Sequence, residues 1–221
     1  MKNYLLTGAL LLSVFFLGSC RKHFIKGEGP IETEIRSVSD FSEIVADGSI
    51  DVTVVKDNEY KVVLTGYGNL IPIFETKVNG DRLTLQYENR YHNVRNDNLE
   101  IEVHTPYVEK LVLNGSGDAV ITSGFVQEKI EGKINGSGNI SVNNCEVTTL
   151  TADINGSGTF KSTSTEADNV FTYISGSGDI YVHVNEFLKV RSSGSGDVWY
   201  SGDPDITDID ISGSGDVHKK N

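Results

Sequence analysis

The sequence predicts an all-β protein, a β-helix or β-solenoid in which one chain winds into coils of about 20 residues with Gly-Ser-Gly corners. Three observations carry this expectation. Gly-Ser-Gly occurs six times, with first glycines at Gly115, Gly136, Gly156, Gly176, Gly194 and Gly213, spaced 21, 20, 20, 18 and 19 residues apart. Three columns of mostly apolar residues keep register with those glycines. Six residues before them lie Glu109, Ile130, Leu150, Val170, Leu188 and Thr207; two before lie Leu113, Ile134, Ile154, Ile174, Ser192 and Ile211. Four after lie Ala119, Ile140, Phe160, Ile180, Val198 and Val217. The columns share one parity, so stacked coils would make them ladders inside a narrow core. Finally, apolar and polar residues alternate through nearly every segment from Phe41 onward, and no long amphipathic helix interrupts them.

The second glycines of the triplets are Gly117, Gly138, Gly158, Gly178, Gly196 and Gly215. A glycine inside a strand costs about 0.5–1 kcal/mol relative to alanine, so twelve of them are too costly to be filler. They read as corners that need positive φ, or that are too narrow for an inward Cβ.

The elements follow in order. Residues 1–19 read as a signal peptide: Lys2 is a short basic region, and Leu5 to Leu17 is an apolar run of 13 residues, too short to span a membrane. The run ends in "LGSC", which resembles a bacterial lipobox and makes Cys20 the lipid-attachment residue. Residues 20–36, polar with a Gly-Pro break, read as a lipidated tether. Residues 37–107 form less regular N-terminal coils, with strands in "SIDVTVV", "EYKVVLT", "DRLTLQY" and "LEIEVHT". "NGD" at 79–81 reads as a hairpin turn. "GNLIPIF" (68–74) allows one short helical turn limited by Pro72, and 88–98 reads as a protruding loop. Residues 108–221 are the Gly-Ser-Gly solenoid, continuous with the preceding segment.

Charge narrows the function. The chain carries −12, and losing residues 1–19 removes Lys2 and no acid, leaving about −13. Such a surface repels phosphate backbones, so nucleic acid is excluded as a partner. With Cys20 acylated, Cys145 is the only other cysteine and no intrachain disulfide can form.

A lipobox, then "DFSEIVADGSIDVTVV", "ETKVNGDRLTLQY" and repeated "INGSG" or "ISGSG" corners together resemble the putative auto-transporter adhesin, head GIN domain family, over roughly residues 37–218. The resemblance implies a pectin-lyase-like β-helix and a non-enzymatic, adhesin-like lipoprotein of the envelope in Bacteroides-type Gram-negative bacteria. It would be exported to the outer membrane, at the cell surface or the periplasmic face. It implies no catalytic set and no cofactor.

Other chemistry was weighed on the residues. A phosphate cradle needs a helix after the glycines, or a following Gly-Lys-Ser/Thr, and neither is present. Calcium is an alternative, because Asp179, Asp197 and Asp216 would stack on successive coils; Asx-type turns use the same residues. A carbohydrate-active enzyme acting on extracellular polysaccharide is the competing function, yet the five histidines show no ligand spacing. The expectation is no metal site and no enzyme.

The candidate binding surface is a solvent-facing column five residues after each first glycine, in which Tyr181, Trp199 and His218 should stack beside Asp179, Asp197 and Asp216. Such a column suits a host or microbial glycan, or a matrix protein. It also suits a cross-strand ladder with no ligand. Lys219 and Lys220 read as charges that block the last coil's edge. Oligomeric state stays open.

Overall fold

The computed structural model describes residues 23–220, so the expected signal peptide and the expected lipid-attachment residue Cys20 lie outside the described residues. Apart from one 3-10 turn at Ile71–Ile73, the regular structure is strand. Among the described residues, no helix is long and apolar enough to cross a membrane.

Two sheets enclose one core. The first has nine strands, in the order Ile206–Ile211, Phe187–Gly194, Glu166–Gly176, Glu146–Gly156, Val126–Gly136, Lys110–Gly115, Glu43–Gly48, Arg82–Tyr87 and Phe74–Asn79. The second has ten, running Ile31–Ser37, Lys61–Tyr67, Glu100–Thr105, Asp51–Lys56, Asp118–Ile121, Asn139–Val142, Thr159–Ser162, Asp179–His183, Val198–Ser201 and Val217–Lys219. From Lys110 onward the chain alternates between the sheets, and every coil pairs in parallel with the next. This is the expected solenoid.

The register places the three apolar columns inside. Leu113, Ile134 and Ile154 are buried in one sheet, and Ala119, Ile140, Phe160 and Ile180 in the other. Parity therefore survives the corner. The ladders fray at the last coil described, where Thr207 is exposed and Ile209 is 45% exposed, because among the described residues no further coil covers them.

The corners differ from expectation in one respect. The first glycine turns with positive φ at Gly115, Gly136, Gly156 and Gly176, for example +143° at Gly136, but not at Gly194 or Gly213. The second does not. A Cβ on Gly138 would instead overlap the carbonyl oxygen of Gly117 one coil earlier, and a Cβ on Gly136 would overlap that of Gly115. The restriction is axial first, and at Gly138, Gly158 and Gly178 it is also inward, because a Cβ there would meet the core side chains of Leu113, Ile134 and Ile154. Coils must approach this closely because the ladder continues around the bend: Ser137 N–H donates to the Gly115 carbonyl at 2.9 Å, and Ser157 N–H to Gly136 at 2.9 Å.

A seventh corner lies at "DGSID" (47–51), and it supports this account. Gly48 pairs with Gly115 and has φ +106°, yet Ile50 stands where every later coil has glycine. The strands on its far side, Arg82–Tyr87 and Glu100–Thr105, are joined by a long excursion over 88–99 instead of a tight corner. With no corner carbonyl against it, Ile50 keeps its side chain and is buried.

The N-terminal region brings two corrections. Residues 23–36, expected as part of a tether, contain the strands His23–Lys26 and Ile31–Ser37. The second pairs antiparallel with Lys61–Tyr67, and the Arg36 guanidinium donates to the carbonyls of Phe74 (2.6 Å) and Ile71 (2.9 Å). Backbone pairing and that one arginine hold it, which the polarity of its side chains conceals. Residues 88–98, expected as a loop, contain the strand Tyr91–Arg95, which pairs in parallel with His23–Lys26. The turn at 79–81 is a hairpin turn as expected, with Gly80 at φ +62°.

Candidate functional site

The corner after Gly176 delivers the chain to Asp179–His183 with Asp179 and Tyr181 on the outer face. Because coils pair in register, Tyr181 lies beside Trp199, and Trp199 beside His218. The Tyr181 and Trp199 rings are nearly parallel, tilted by 7° with centroids 6.4 Å apart. Trp199 and His218 lie closer, 4.0 Å apart at 21°. Each residue is half-buried. The sequence thus brings this column together as expected.

The acids beside it have partners. The Asp179 carboxylate accepts the Asp197 N–H at 2.9 Å, and the Asp197 carboxylate accepts the Asp216 N–H at 2.8 Å. Earlier coils do the same: the Asp51 carboxylate accepts the Asp118 N–H at 2.7 Å, and the Asn139 side-chain oxygen accepts the Thr159 N–H at 3.1 Å. This column is an Asx ladder that extends the sheet's hydrogen bonding past its strands. That accounts without calcium for the acids and the amide of this column, which Thr159 interrupts at the corner after Gly156. Among the described residues, no group of three or more His, Cys, Asp or Glu is arranged to hold a metal.

Lys220 completes the site. It was read as an edge blocker, yet its ammonium lies 4.9 Å from the Trp199 centroid and 5.2 Å from that of Tyr181. Both distances fall within cation–π range, about 6 Å. Its neighbour Lys219 turns instead to Asp203, at 2.7 Å. A parity signal for Lys220 existed, since two residues after His218 is the same face. Burial, with smaller contributions from Asp179 and Asp197, raises the Tyr181 hydroxyl above the ordinary phenol range. The phenol therefore stays neutral.

A concavity elsewhere on the molecule was not anticipated. An open pocket of about 460 Å³ lies between the corner at Asp47–Ile50 and the 88–97 excursion, with Tyr87, Tyr91 and Asp97 on its wall. It exists because the excursion leaves the place of a tight corner. Some of its polar groups are engaged: Tyr87 donates to Asp97 at 2.8 Å, and Asn114 donates to Asp47 at 2.6 Å. Burial, then the bond to Asp97, pushes the Tyr87 hydroxyl up. Cys145 is a buried free thiol pushed up by burial, which makes it a poor nucleophile.

These features define a class: a glycine-cornered β-solenoid with regular outward ladders and a closed core. A family model described as "Putative auto-transporter adhesin, head GIN domain" matches residues 40–173 and 146–204. The chain belongs to that family. Among curated proteins, no relative matches. Solved structures share the fold. A putative adhesin from Bacteroides fragilis superposes with a TM-score of 0.67 at 18% identity, over 88% of this chain and 99% of that one. A putative adhesin from Parabacteroides merdae gives 0.60 at 18% identity, over 90% and 100%. A putative lipid binding protein from Parabacteroides distasonis gives 0.58 at 23%, over 90% and 100%.

Proposed function

We propose that the protein is a non-enzymatic binding module of the cell envelope, adhesin-like in action, tethered by a lipid on Cys20 at the outer membrane. The observation that carries the reading is the outward column of Tyr181, Trp199 and His218 on a rigid solenoid in this family. Three rings with polar tips, fixed in register by parallel strands, offer apolar area at little entropic cost. Partners of the class expected are a surface glycan or a matrix protein.

Binding of the full-length protein to arrays of glycans and matrix proteins tests the reading. Trp199→Ala should lose most binding, about tenfold or more, if the ring is a central anchor. Unchanged binding by a folded Trp199→Ala protein would leave the column as a cross-strand ladder only. For the anchor, acyl label should be incorporated by the wild type and lost in Cys20→Ala; label retained by the variant overturns it.

A further inference from the structure

We propose that the aromatic column is a cation subsite for the Lys and Arg side chains of a basic peptide segment, and that Lys220 is its internal occupant. This rests on the binding reading above and narrows it to one ligand chemistry.

The geometry of the rings is the first reason. Tyr181 and Trp199 are parallel within 7°, yet their centroids are 6.4 Å apart. That separation lies at the wide end of the roughly 4.5–7 Å found for offset aromatic pairs, so the rings are partners that still leave part of each face to a further group. A positive group already lies over both of them, the Lys220 ammonium. Desolvated aromatic faces attract cations through the ring quadrupole.

Charge is the second reason. Asp179 and Asp197 lie close enough to Tyr181 to act on its hydroxyl, and the Asp197 carboxylate is 3.6 Å from the His218 ring. Their backbone bonds use Oδ1 and leave the negative charge in place. The chain as a whole carries −12, which draws basic segments toward it and repels acidic ones. Guanidinium suits the site best, since its plane stacks on rings while its edge donates to carboxylates.

Lys220 makes the site self-covered. A partner's cation must displace it, so apparent affinity falls by the fraction of time Lys220 is seated. For a partly exposed cation–π contact of about 0.5–1 kcal/mol, that fraction weakens binding about three- to sixfold.

Trp199 is the only tryptophan in the chain, so tryptophan emission reports on this site alone. The full-length protein is titrated with hexa-arginine, hexa-glutamate and maltohexaose while emission is followed. The proposal expects a saturable change with hexa-arginine only, and about three- to sixfold tighter binding in Lys220→Ala. Lys219→Ala removes the same charge without touching the rings and should bind like the wild type. Equal tightening in both variants overturns the proposal, because net charge alone would explain it. Silence with hexa-arginine in wild type and Lys220→Ala also overturns it, as does a response to maltohexaose alone.

The two readings fail separately. Array binding that Trp199→Ala abolishes, with hexa-arginine silent, keeps the binding module and removes its cation chemistry. Tightening confined to Lys220→Ala, with silent arrays, keeps the cation subsite and removes the adhesive role.

Discussion

The corner at Gly48–Ile50 and the corners from Gly115 onward perform the same bend under different constraints. At Gly48 only the backbone angle demands glycine, since nothing lies within 4 Å of where its Cβ would be. At Gly156 the angle, +145°, and the Gly136 carbonyl of the previous coil both demand it. At the second position, Ile50 shows that the bend itself accepts a large side chain. The repeated triplet is therefore a rule about stacking, imposed by the neighbour and only partly by the turn.

Substitutions at the two kinds of corner should separate these causes. Gly156→Ala should be the most damaging, about 4 kcal/mol or more in chemical denaturation, because a backbone overlap cannot be relieved by a rotamer. Gly48→Ala should cost only about 1–3 kcal/mol, the price of the φ alone. Equal losses at both positions would mean that the neighbouring coil is irrelevant. Between these two in size is Ile50→Gly, which rewrites the first corner as the repeat. It should destabilise by about 3 kcal/mol, since it empties a buried site that no carbonyl occupies. A gain in thermal stability would refute the neighbour rule.

The smallest effect concerns how acids are used in the two halves. The corner acids cap the next coil's N–H, whereas Asp57, away from the corners in the N-terminal half, binds Lys61 at 3.0 Å and His104 Nδ1 at 2.9 Å. Those partners, Lys61 first, hold its carboxyl down to about 2 from an ordinary 3.8. A depressed folded pKa stabilises above the unfolded value and loses that contribution as pH falls through the folded one. Asp57→Asn should thus melt below the wild type at pH 7, and the gap should close between about pH 4 and pH 2. A gap that stays constant over that range would show that Asp57 ionisation does not stabilise the fold.

How much of this was readable depended on whether a residue's partner lay one period away. The inward columns from Leu113 to Ile174 and the pairing of Tyr181 with Trp199 follow from parity and period alone. The first corner did not, because Ile50 breaks the triplet and the next corner is 67 residues on, as the Ser49–Ser116 bond shows. Its signal was "ADGSIDV" set against "LNGSGDAV". The strand pair His23–Lys26 with Tyr91–Arg95 was hidden differently: both segments are short and far apart in sequence, and backbone pairing leaves no side-chain pattern. Lys220 was visible by parity beside His218, but its reach back across Trp199 to Tyr181 is a matter of side-chain geometry.

The neighbour rule also bears on how tall such a molecule can be. Residues 137–156 make one whole period, and cutting them out would set Gly158 above Gly117 with a glycine still meeting a glycine carbonyl. Each coil contributes about 4.8 Å along the axis. Length in this chain is therefore quantised, adjustable by duplicating or deleting single periods without redesigning a bend, and the distance between its two ends can drift over generations in equal steps.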